Sequence, residues 1–189
     1  MTPRHEQAFL DYGQRRRVPG PYNFPLIPQT RGKEWCAVWQ IGVWEQREGL
    51  YELVRELAGD RARVARGEHP ALLAGESYDL LVVSPHSIGW AGAAVLYCRT
   101  VLLPGAAGPL ARSLRADRAV SYGLNPRDTL TPSSLDDAHI CVAVQRELIR
   151  LDGGVVERQE LVLPYDGRQP ELALVRTGIR LLLGREGAP

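Results

Sequence analysis

Three short segments hold the side chains best placed to do chemistry: Ser84-Pro85-His86-Ser87-Ile88-Gly89, Pro104-Gly105-Ala106-Ala107-Gly108 and Gly123-Leu124-Asn125-Pro126-Arg127-Asp128. Each follows an apolar run. Ser84, His86 and Ser87 combine two hydroxyls with an imidazole, the group whose charge changes near neutral pH. Gly105 and Ala106 offer backbone N–H groups with little side chain in front of them, which suits close approach to a ligand. Asn125, Arg127 and Asp128 add an amide, a cation and a carboxylate. Together these eight residues would bind a small anionic or polar ligand. In a transferase or hydrolase His86 would be the base. Each residue also has a structural use: Ser87 suits the N-cap of a following helix, the glycines suit turns, and Asn125-Pro126 suits the first two positions of a type I turn.

The segments share a site only if the elements before them are neighbours. Tyr78 to Ser84, Arg99 to Leu103 and Arg118 to Tyr122 read as strands, the first two being nearly continuous apolar runs of the kind buried on both faces. Between them, Ile88 to Tyr97 and Ala106 to Leu114 read as helices, the first rich in glycine and alanine. Strand, helix, strand, helix, strand at this spacing predicts parallel crossovers, hence an α/β three-layer sandwich with a mainly parallel sheet. Ligands bind such sheets outside the carboxyl ends of the strands, where all three segments would fall.

Upstream, Glu34 to Ile41 reads as a strand ended by Gly42, Trp44 to Ala58 as a helix, Arg61 to Ala65 as a short edge strand and Pro70 to Leu73 as a helical turn. Downstream, His139 to Arg150 and Val155 to Leu163 flank Asp152-Gly153-Gly154 and read as an antiparallel hairpin extending the sheet. Thr129, Thr131 and Ser133 alternate and could present hydroxyls to a ligand or satisfy nearby backbone. Thr129 to Ser134 reads as the connection into the hairpin. Glu171 to Leu183 fits a final amphipathic helix stopped by Gly184.

Residues 120–168 carry a resemblance. Val120-Ser121-Tyr122-Gly123, the acidic Asp128, the strand Ile140 to Val144, the Asp152-Gly153-Gly154 turn and Leu161-Val162-Leu163-Pro164 ahead of Gly167-Arg168 resemble the trailing part of the central domain of the Mur ligases, which form peptidoglycan amide bonds. The resemblance implies a shared sheet extension. The ATP-binding Gly-Lys-Thr loop of that family has no counterpart, and Gln169-Pro170 follow Arg168 where the family carries His-Asn. Ligase activity is therefore not carried over. Lys33, the single lysine, lies outside any Gly-x-x-x-x-Gly-Lys-Ser/Thr loop, which also disfavours a P-loop hydrolase.

Composition sets the remaining bounds. With 189 residues, 44% of them hydrophobic, the chain can bury about 70% of its unfolded surface, enough for one core. The expected division is an extended or partly disordered arm at 1–33, a single α/β domain at 34–184 and a frayed tail at 185–189. The arm holds six basic residues, two acidic ones and five prolines, including Arg15-Arg16-Arg17 and Pro19 to Pro25. It and the hairpin edge could join a second copy, so an oligomeric assembly protein is the rival expectation. Net charge is +1, giving no field for nucleic acid or anionic lipid, and neither is expected as a partner. Cys36, Cys98 and Cys141 are widely spaced within apolar runs and read as buried hydrophobes, so no metal is expected and the cofactor stays unknown. No run approaches the roughly 20 residues of a membrane span, and a cytoplasmic protein is expected.

Overall fold

The computed structural model describes residues 38–87, 95–107 and 114–185. The basic arm, the two segments 88–94 and 108–113 expected to be helical, and residues 186–189 of the tail lie outside these.

The fold is an α/β sandwich built on an eight-stranded sheet. In chain order the strands are β1 (Trp39–Trp44), β2 (Ala62–Gly67), β3 (Ser77–Val83), β4 (Leu96–Pro104), β5 (Leu114–Tyr122), β6 (Leu130–Leu135), β7 (His139–Val144) and β10 (Gln159–Pro164). Between the last two, β8 (Leu148–Ile149) and β9 (Val155–Val156) form a separate antiparallel pair. The spatial order is β2-β1-β3-β4-β5-β6-β7-β10. From β2 to β6 every pairing is parallel; β7 and β10 are antiparallel additions. The chain leaves β1 in one direction to form β2 and returns to form β3 on the other side. That reversal is the topological switch point of the sheet.

Alternate residues of the central strands face opposite ways, which gives the sheet two cores. Ile41, Leu80, Leu102 and Val120 face helices α1 (Leu50–Ala58) and α2 (Pro170–Leu182). Leu81, Val83, Val101 and Leu103 join Trp44 and Leu73 on the other side. Complete burial of such aliphatic side chains stabilises by about 1.5–3 kcal/mol each. Helix α2 crosses β4 to β7 closely because Gly178 lies at the contact. A Cβ there would stand 2.9 Å from both Leu102 Cδ atoms and from Leu130 Cδ1.

Several boundaries differ from the sequence reading. Strand β1 runs through Gly42 to Trp44, so Trp44 belongs to the sheet and helix α1 starts only at Leu50. Gly49, at φ +77°, and the Glu45 carboxylate, which accepts the Leu50 N–H at 2.8 Å, set that start. Strands β4 and β5 begin at Leu96 and Leu114, ahead of the expected Arg99 and Arg118. Their ladder extends past the apolar core, and Arg115 to Ala119 are solvent-exposed while still in register with β4. Residues 130–135 are a strand and not a mere connection. Strand β6 touches β5 only at Tyr122↔Leu130 and pairs mainly with β7, with a register shift between Pro132 and Ser134 where proline lacks an N–H. The hairpin is present as β7 and β10, with β10 at the sheet edge exposing Val162.

Candidate functional site

Strands β3, β4 and β5 end side by side at Val83, Pro104 and Tyr122, and the chain leaves each as a turn on the same rim of the sheet. These turns and the first residues of α2 enclose a cavity of about 660 Å³. Six of the eight residues singled out from the sequence line it: His86, Gly105, Ala106, Asn125, Arg127 and Asp128. Ser84 and Ser87 do not. Both are buried, and the Ser87 hydroxyl donates to the Trp44 carbonyl at 3.1 Å, so it ties the β3 turn to β1. Pro85, Pro104, Tyr122 and Leu124 supply apolar wall, while Gln169, Glu171 and Leu172 come from the start of α2. Nothing in the local sequence pairs residue 171 with residue 86; only the lie of α2 across the sheet does so.

Asp128 occupies a built seat. Asn125 to Asp128 form the expected turn, with the Asp128 N–H donating to the Asn125 carbonyl at 2.9 Å and the Arg127 N–H to the Asn125 side chain at 3.0 Å. This returns the Asp128 carboxylate over the turn after β4. A Cβ on Gly105 would overlap Asp128 Oδ1, and one on Gly123 would fall 2.6 Å from Oδ2. The carboxylate thus fills the space two missing side chains leave. Asp128 is only 6% exposed, and its side chain has no hydrogen-bond or ion-pair partner among the described residues. Its carboxylate oxygens are not sealed from solvent, so they stay open to a donor group of a ligand entering the cavity.

Two of the three alternating hydroxyls serve the backbone. Thr129 and Ser121 exchange side chain–backbone hydrogen bonds at 3.1 and 3.4 Å, which join β5 to β6 where ladder pairing stops, and Ser133 donates to the Cys141 carbonyl. They lie outside the cavity lining.

A second polar group stands at the switch point. Glu48, from the loop after β1, has a side chain only 7% exposed, and its Oε1 accepts the Ser84 hydroxyl at 2.7 Å. The same oxygen lies 2.9 Å from His86 Nδ1, and the His86 backbone N–H donates to Ser84 Oγ at 3.1 Å. Burial raises the Glu48 carboxyl, but the Ser84 hydroxyl, the Glu48 and Gln46 backbone N–H groups and His86 outweigh it and hold the pKa below the ordinary 4.5. The group is therefore a carboxylate at neutral pH. Because a carboxylate can only accept, Nδ1 must carry the proton, and the Nε2 lone pair of a neutral His86 is left open. Sequence reading passes over Glu48, since residues 45–48 fall within Trp44 to Ala58, which reads as a helix.

The lowered Glu48 pKa has a consequence for stability. The carboxylate contributes stability above its unfolded pKa, near 4.5, and that contribution is lost as pH falls through the lower folded value. Asp152, held low by the Gly154 N–H against a small burial effect, adds in the same direction. Urea unfolding between about pH 6 and 3 is expected to show falling stability, with a shallower fall in Glu48→Gln. An equally steep fall in the variant would show that Glu48 carries none of it.

Other polar features are structural or peripheral. Glu45, fully buried, caps α1 and lies 3.1 Å from Arg66 Nε. A depression of about 670 Å³ at the amino ends of β1 and β2 is lined by exposed Arg and Glu side chains, away from the strand-end rim. Among the described residues no cluster of His, Cys, Asp and Glu could hold a metal, and no helix is long and apolar enough to cross a membrane. No protein-family model, curated protein or solved structure matches the chain. The Mur ligase resemblance of residues 120–168 therefore rests on its short motifs.

Proposed function

We propose that the strand-end cavity binds a small polar molecule through its hydrogen-bond donors, hydroxyl or amine groups that meet the Asp128 carboxylate. The observation that carries this reading is the Asp128 seat: a carboxylate at the cavity wall, accommodated by Gly105 and Gly123, that has no hydrogen-bond donor among the described residues and is open to the cavity. The apolar wall of Pro85, Pro104, Leu124 and Leu172 suits the body of such a ligand, a mixture typical of small-molecule sites. An anionic ligand has less support. Among the described residues, Asp128 and Glu171 line the cavity with negative charge, against the single guanidinium of Arg127, and Glu48 lies behind His86.

Thermal unfolding of the intact chain with a ribonucleoside, a hexose, a diamine, inorganic phosphate and a dicarboxylate tests this. At least one donor-bearing probe is expected to stabilise, by about 5–10 °C at a hundredfold excess over its dissociation constant, whereas phosphate and the dicarboxylate are not. Asp128→Ala should abolish the shift and Asp128→Asn retain part of it. A panel without any shift, or a shift indifferent to Asp128→Ala, would overturn the reading.

A further inference from the structure

Resting on the reading of the cavity as a ligand site, we infer that His86 is its proton acceptor, aligned by Glu48 and Ser84, and that it takes a proton from a hydroxyl, amine or water held in the cavity. Three features place it there. His86 lines the cavity, and its side chain is 48% exposed. Its Nδ1 is committed to Glu48 at 2.9 Å, so the open nitrogen is Nε2. The arrangement spans the switch point, with Glu48 delivered after β1 and Ser84 and His86 after β3, and hydrogen bonds joining the two loops.

Ser84 holds the unit together. Its one hydroxyl proton goes to Glu48 while its oxygen accepts the His86 backbone N–H, so carboxylate and imidazole are fixed by the same residue. In the transfer, the X–H bond of the bound group breaks, its electron pair stays on X, and the proton forms a bond to Nε2. The resulting imidazolium keeps its Nδ1–H donated to the Glu48 carboxylate, which stabilises the charge without becoming protonated. Glu48 and Ser84 are positioning residues; of these three, only His86 lines the cavity and touches the ligand.

The protein contains its own contrast. His69 Nδ1 accepts the Ala71 N–H at 3.2 Å and so must be the unprotonated nitrogen, the opposite tautomer to His86. Long-range proton–nitrogen NMR on the intact chain at a pH of about 8, above the ordinary histidine range, is expected to show the proton of neutral His86 on Nδ1 and that of His69 on Nε2. Glu48→Ala should move His86 towards the Nε2–H form without moving His69, and Glu48→Asp should restore part of the Nδ1–H population. Acylation at His86 Nε2 by diethylpyrocarbonate, in which Nε2 bonds to a carbonyl carbon, the ethyl carbonate half leaves and the Nδ1 proton passes to solvent, should slow in Glu48→Ala as Nε2 becomes protonated, with label appearing at the uncovered Nδ1 instead. An Nε2–H tautomer in the wild type, or a tautomer and acylation rate unchanged by Glu48→Ala, overturns the inference. Neither readout needs a ligand, so either failure leaves the Asp128-dependent stabilisation to stand or fall by itself.

Discussion

Gly105→Ala is expected to eliminate ligand-induced stabilisation while the protein stays folded, because the new methyl group occupies the place of the Asp128 carboxylate. The methyl carbon would overlap Oδ1, far inside any real contact, so Asp128 must leave its seat. The carboxylate is the end of a short side chain and can rotate, yet the residue is only 6% exposed and Gly123 borders its other oxygen, so the movement meets resistance. A cost of about 1–3 kcal/mol, the usual range for overpacking, follows. The cause can be isolated with a double-mutant cycle. In an Asp128→Ala background the oxygens that clash with the new methyl group are gone, and Gly105→Ala should then cost less by roughly 0.5–3 kcal/mol. Urea denaturation of the four proteins measures this coupling. Strictly additive effects would mean that Gly105 is needed for something other than seating Asp128.

The same seat shows what can be read from a sequence and what cannot. The three strand ends were legible because β3 and β4 are buried on both faces and therefore read as continuous apolar runs, each stopped by proline: Val82-Val83-Ser84-Pro85 and Leu102-Leu103-Pro104. Parallel order followed from the crossover spacing, and the rim of the sheet from parallel order. Six of eight candidate residues reached the cavity by that route. Ser84 and Ser87 did not, since a buried hydroxyl and a ligand-binding hydroxyl look alike until their partners, Glu48 and the Trp44 carbonyl, are located. Glu48 was invisible for the complementary reason. It lies 38 residues from His86 in a charged loop, and only the pairing of β1 with β3 makes them neighbours. The outer parts of β4 and β5 were missed because apolar periodicity reports burial, whereas hydrogen-bonded register continues where Arg115 to Arg118 face solvent.

Tyr122 is the residue at which fold and cavity cannot be separated, and its truncation should have the largest effect on stability. Its side chain is fully buried, and its hydroxyl donates to the Val83 carbonyl at 2.6 Å, fastening the end of β5 to the end of β3 across β4. Its own carbonyl accepts the Gly105 N–H at 2.8 Å, and its Cα stands opposite both Pro104 and Leu130 in the ladders. One residue thus fixes all three turns of the rim. Burial, with the nearby Glu48 and Glu171 charges, pushes the phenol far above its ordinary pKa, so it remains a neutral donor throughout the working range. Tyr122→Ala removes an aromatic core side chain and should cost about 3–5 kcal/mol. Tyr122→Phe keeps the ring and deprives the Val83 carbonyl of its donor, for about 1–3 kcal/mol. The phenylalanine variant is the more informative, because it is expected to fold. With Val83 released, the turn bearing Ser84 and His86 loses its tether to β5, and the neutral His86 ring should lose part of its preference for the Nδ1 proton although Glu48 is intact. If Tyr122→Phe destabilises as expected but leaves the His86 tautomer untouched, the tether bears on the fold alone and the alignment of His86 belongs to Glu48 and Ser84.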